Sequence, residues 1–129
     1  MLHDAAGLAI AANVAIPGLP AAVAPRSPDI CIHAGSRPLW ADFPVCIVHT
    51  SSCTTDDGSP VVTVGRAEHG FHFGYADGTQ VWIDTAGTEI WCTDAPGATL
   101  ADTATYLTGP ILGFALRRRG SLALFTHAE

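Results

Sequence analysis

The chain has 129 residues, enough for one domain that buries roughly two-thirds of its unfolded surface. Hydrophobic residues make up 48% and charged residues 14%, which excludes disorder over most of the length. The net charge of −6 disfavours a nucleic-acid role, and the absence of lysine excludes a standard P-loop.

Cys31, Cys46, Cys53 and Cys92 contain no CxxC pair. Their even count allows two disulfides, but the chain is larger and more apolar than a stapled mini-domain, so reduced thiols in the cytoplasm are expected. Residues 5–16 are apolar and imitate a signal peptide. No Lys or Arg precedes them, Asp4 does, and Asn13 and Pro17 interrupt the neighbourhood. No stretch reaches the ~20 apolar residues of a membrane span.

In chain order, Gly7 to Ala12 reads as a first strand. Pro17, Pro20, Pro25 and Pro28 mark a loop or linker. Asp29 to Gly35 reads as a second strand, Val45 to Val48 and Val61 to Val64 as two more, and residues 50–60 as a mobile loop. The clearest β signal follows. Phe71, Phe73 and Tyr75 alternate with His72 and Gly74, and Asp77 with Gly78 marks a two-residue type I′ turn. Val81 to Asp84 and Glu89 to Thr93 complete a meander. Thr99 and Asp102 have capping-box spacing, and Leu100, Ala104, Leu107, Ile111 and Ala115 keep helical spacing. Pro110 predicts a kink or a fresh start, and Gly120 a C-terminal stop. Leu122 to Phe125 reads as a strand covered on both faces. The expected fold is α+β: a small antiparallel meander over residues 69–94, packed on one kinked helix over residues 99–119, with a final buried strand.

Candidate chemistry is sparse. His3, His33, His49, His69, His72 and His127 are scattered without a metal motif, so a metal-binding module needs distant ligands. In a strand, His69 and His72 fall on opposite faces. His49 with Cys53, in a polar stretch with Ser51 and Ser52, has the residue types of a small hydrolase or transferase, without GxSxG or an orienting group. Asp56 and Asp57 before Gly58 read as a turn rather than paired catalytic carboxylates. Trp82 and Trp91 flank one turn and fit a packing patch or protein interface. Arg117, Arg118 and Arg119 suit a helix C-terminus, with an anion site as the alternative.

The order of these pieces resembles the N-terminal region of HPr-kinase-like proteins, serine-kinase relatives of HPr kinase/phosphorylase. The motifs are the opening stretch from Gly7 to Leu19, the strand from Asp29 to Gly35, the hairpin at Asp77 and Gly78, and the turn from Pro96 to Thr99. They continue with the helix from Tyr106 to Gly113, Arg119 with Gly120, and the pair His127 and Ala128. In such relatives a P-loop kinase domain follows; none of its ATP, magnesium or catalytic residues has a counterpart here. The resemblance implies a non-catalytic domain for substrate recognition, with no cofactor or metal, acting on a protein or peptide partner such as a kinase-like domain, or being a truncated gene product. The partner surface expected from the residues comprises Trp82, Trp91, Arg117, Arg118, Arg119, Phe125 and His127, with a homodimer through the terminal strand as one form of association.

Overall fold

The computed structural model describes residues 1–120 of the protein. Strands β1 (Leu2–Ala5) and β2 (Leu8–Ala12) form a hairpin closed by Ala6 and Gly7, both at positive φ (52° and 77°). That is the pair of left-handed residues a primed turn needs, and it matches the twist of the strands. The proline-rich connection then crosses without a helix. It is held by His3, which is 3% exposed: its Nε2 accepts from the Ile16 N–H at 3.2 Å, and its Nδ1 lies 3.3 Å from the Pro20 carbonyl. Asn13 bonds both backbone groups of Ala34 at 2.9 Å.

Strand β3 (Ile30–Ala34) runs parallel to β2. Strands β4 (Cys46–Thr50), β5 (Val62–Arg66), β6 (Gly70–Tyr75), β7 (Gln80–Asp84) and β8 (Glu89–Thr93) follow as an antiparallel meander. The meander brings β8 back beside β3, again in parallel, and the sheet order is β1-β2-β3-β8-β7-β6-β5-β4. Within residues 50–60, Ser51, Val61 and Thr55 continue the β4–β5 ladder, which ends in the turn at Gly58.

One helical run lies across one face. It comprises α1 (Leu100–Tyr106), a wide turn (Leu107–Ile111) and α2 (Leu112–Arg118). At its start, the Asp102 carboxylate accepts the Thr99 backbone N–H at 3.0 Å. Pro110 cannot donate and its ring crowds the preceding turn, so the backbone loosens there, with Gly109 at φ −106° and ψ −106°. Ala104, Leu107, Ile111, Leu112, Ala115 and Leu116 face the sheet and join Ile10, Ile30, Ile90, Val81, Ile83 and Phe73 in one core. Alternation along the strands supplies that face. The opposite face carries His33, Trp91, Trp82 and His72 and is covered by residues 36–45, with Trp40 over Gly70 and Val45 over Gly65.

Two expectations are corrected. The sheet is not a small antiparallel meander: it has eight strands and is mixed, because β1, β2 and β3 extend it beyond β8. Parallel partners need not be near in sequence, so no local pattern announces the β3–β8 pairing. The turn between β6 and β7 is not a two-residue I′ turn either. The Gly78 N–H bonds the Tyr75 carbonyl, Tyr75 N–H bonds Thr79, and only Gly78 takes positive φ (102°), the arrangement of a longer loop with a bulge. The helix, with its disturbance at Pro110, is found at Leu100–Arg118. The proposed strand from Leu122 to Phe125 lies outside the described residues.

Candidate functional site

The helix does not cover its whole face of the sheet. Beyond Pro110 and Phe114 a groove of about 370 Å³ opens toward β4. Its floor is Val62, Val64, Phe71, Phe73 and Tyr75, the alternate residues of β5 and β6. Its far rim is Val48 and His49. A register shift between Ile47 and His49 lets these two neighbours both line the groove, where a regular strand would send one away. The near wall is Pro110, Phe114 and Arg117. Phe114 is fixed edge-on to Phe71 and Phe73, with ring centroids 4.9 and 5.0 Å away. At the opposite end of β6 from Phe71, Tyr75 stacks on Tyr106 at 3.8 Å. Burial, with Tyr106 and Asp77 beside it, pushes the Tyr75 hydroxyl up to about 12, so it stays a neutral donor.

Basic side chains gather around Phe71. The guanidinium of Arg66 lies 5.8 Å from the Phe71 ring centroid and that of Arg118 lies 5.1 Å from it. Arg118 Nε also donates to the Thr85 carbonyl at 3.1 Å. Among the described residues, Arg66, Arg117 and Arg118 have no carboxylate within salt-bridge distance. Arg119 turns elsewhere, because successive helical residues diverge by about 100°. It lies 3.8 Å from Asp29. The run that the sequence presents as one basic cap is therefore divided between a groove mouth and a structural tie.

A wider depression of about 460 Å³ lies at the start of the helix, between Asp77, Pro96, Gly97, Asp102 and Tyr106. Its carboxylates already have partners. Asp77 accepts from Thr79 N–H and Tyr106 OH, and Asp102 accepts from Thr99. Burial opposes the ionised form of Asp77, but these hydrogen bonds outweigh it and hold the group below its ordinary range. Converging apolar surface with a few unpaired polar groups is the better mark of a ligand site, and the groove has it.

The remaining sequence candidates fall apart in space. Trp82 and Trp91 face each other across β7 and β8 on the outer face. Trp82 is 1% exposed, under Arg37 at 5.5 Å and beside His72 at 5.3 Å, and its Nε1 has no hydrogen-bond partner among the described residues. Trp91 is stacked with His33 at 5.3 Å and capped edge-on by Trp40. His69 precedes β6 and turns to Trp40 and Phe43 on that same outer side, so the strand rule of opposite faces does not apply to it. His49 lines the groove. Cys53 is exposed and shares no hydrogen bond with His49 among the described residues. Asp57 is a turn carboxylate, lowered to about 2 chiefly by Thr55 and then by Ser59. All four cysteines are free, and burial pushes the Cys92 thiol up to about 11. Among the described residues no group of three His, Cys, Asp or Glu side chains is placed to hold a metal ion, and no helix is long and apolar enough to cross a membrane. Phe125 and His127 lie outside the described residues.

Sequence reading missed Phe114, Pro110, Arg66 and Val48 as site residues. Only the Phe71, Phe73, Tyr75 alternation signalled a shared face. No protein-family model, curated protein or solved structure matches the chain.

Proposed function

We propose that this chain is a non-catalytic recognition domain that holds a small apolar molecule in the groove between β4–β6 and the helix. One observation carries the reading: an aromatic-floored groove of about 370 Å³ left open beside a packed core. That volume falls in the range of small-molecule sites. The rigid rings of Phe71, Phe73 and Phe114 offer dispersion contacts at little entropic cost. The accessory role implied by the HPr-kinase-like motif order agrees with binding without chemistry, and a kinase-like partner remains part of the proposal.

The test is a titration of the full chain with 1-octanol, followed by amide chemical shifts. Saturable shifts at Val62, Val64, Phe71 and Phe73, lost in Val48→Asp, are the expected result. Val48 is 55% exposed, so that change introduces a charge at the rim without disturbing the core. Absence of shifts at those amides, up to the solubility limit of the alcohol, overturns the reading.

A further inference from the structure

Resting on that reading, we infer that the groove's ligand is an amphiphile with a carboxylate head: an aliphatic or aromatic acid whose apolar body lies on Phe71 and Phe73 and whose head meets Arg66, Arg117 and Arg118. The inference starts from where positive charge sits on an acidic protein. The chain has six arginines against twelve carboxylate residues. Arg26, Arg37 and Arg119 each have an Asp partner, at 3.2, 2.7 and 3.8 Å. Of the other three, Arg117 lines the groove wall with Phe114, and Arg66 and Arg118 lie over the Phe71 ring of its floor, with no described carboxylate within salt-bridge distance.

Three cations on exposed positions repel one another unless solvent or an anion stands between them. Glu68 is two residues from Arg66 but forms no ion pair with any of the three among the described residues. A carboxylate answers this geometry better than a hydroxyl, because a guanidinium donates two parallel N–H groups to its two oxygens. The groove supplies the rest of the selectivity. Its floor has no charged group, and away from Phe71 it is lined by Tyr75, held neutral. A ligand charged at both ends therefore loses, and one with a single anionic end fits in one orientation. Loss of the mouth cations weakens binding of the acid without weakening binding of its neutral counterpart.

The experiment compares octanoate, 1-octanol and octylammonium on the full chain at pH 7.5 and low salt, by calorimetry and amide shifts. Octanoate binding about fivefold tighter than octanol, with octylammonium weakest, is expected from exposed charge-assisted hydrogen bonds. Arg117→Gln, at an exposed position, brings octanoate close to octanol, Arg117→Lys restores part of the difference, and 0.5 M salt erases most of it. Equal binding of octanoate and octanol overturns the inference and leaves the groove reading standing. So does a preference that survives Arg117→Gln and Arg66→Gln. If neither octanol nor octanoate binds, both readings fall. Groove shifts that follow protein concentration then identify a second copy as the occupant, and shifts of residues 121–129 in Val48→Asp identify the chain's own tail.

Discussion

Arg119 reaches back ninety residues to donate to the backbone carbonyl of Asp29 at 3.1 Å. The same aspartate accepts the Ala9 N–H through its carboxylate at 2.8 Å, and its own N–H bonds the Ala9 carbonyl at 2.7 Å. One residue thus ties β2, the entry to β3 and the end of α2. Arg119→Ala should lower stability by about 1–2 kcal/mol, the range of a partly shielded charged hydrogen bond. Asp29→Ala, which also frees the Ala9 N–H, should cost more, about 2–3 kcal/mol. Urea unfolding midpoints measure both, and equal losses would contradict the role of Ala9.

Two glycines should respond in opposite directions. A Cβ on Gly70 would collide with the Ile83 carbonyl and come within 2.9 Å of both the Asp84 Cα and the Trp40 ring. Gly70→Ala should therefore cost about 2–3 kcal/mol, as overpacking does. Gly113, inside α2, has no atom of the described residues within 4 Å of its missing Cβ. Gly113→Ala should stabilise by about 0.5–1 kcal/mol through helix propensity. Thermal melts of the two variants, moving apart around wild type, check the pair.

Trp82 fills space but leaves a buried donor without a partner among the described residues. Trp82→Phe gives up contact area and removes that penalty together, so the net loss should stay within about 1 kcal/mol. Trp82→Ala has no such relief and should lose about 3–5 kcal/mol. A Phe variant as damaged as the Ala variant would show that the indole nitrogen is satisfied in solution.

Burial pushes His72 below its ordinary value of 6.5, outweighing the hydrogen bond to Gln80, with Arg37 adding repulsion. Its other neighbours, Trp82 on β7 and Gly65 across β5, carry no charge. The unfolded chain therefore takes up a proton at higher pH than the folded one. His72 contributes full stability above pH 6.5 and loses it as pH falls through 6.5 toward the folded value. His72→Gln should flatten the slope of unfolding free energy below pH 6.5 relative to wild type. Denaturant titrations across pH 5 to 8, run side by side, would expose parallel slopes if another histidine is responsible.

Much of the local structure is legible in the residues. The alternation of Phe71, Phe73 and Tyr75, the cap at Thr99 and Asp102 and the proline at 110 each act over a few positions, and each has its counterpart in the structure. The sheet order is not legible, because β2, β3 and β8 become neighbours through contacts twenty to sixty residues apart. Strand β1 was hidden by its two polar residues, His3 and Asp4; His3 is buried because the proline loop supplies its partners. The groove was unreadable for the same reason: Phe71 and Phe114 meet only once the helix has crossed the sheet.

The offset in pairing at Val48 has one more effect. Strand β4 lies at the rim of the sheet with Ile47 and Val48 each 55% exposed, a sticky combination for an outermost strand. Its extra residue throws the free amides out of step, so an identical strand laid alongside cannot match them over more than a few positions. At the opposite rim, β1 is shielded by Ala21 and Ala22, which take up His3 and Leu2. Removing the offset by deleting Val48 would give the protein a straight, oily template, and fibril growth in concentrated solution would be the consequence.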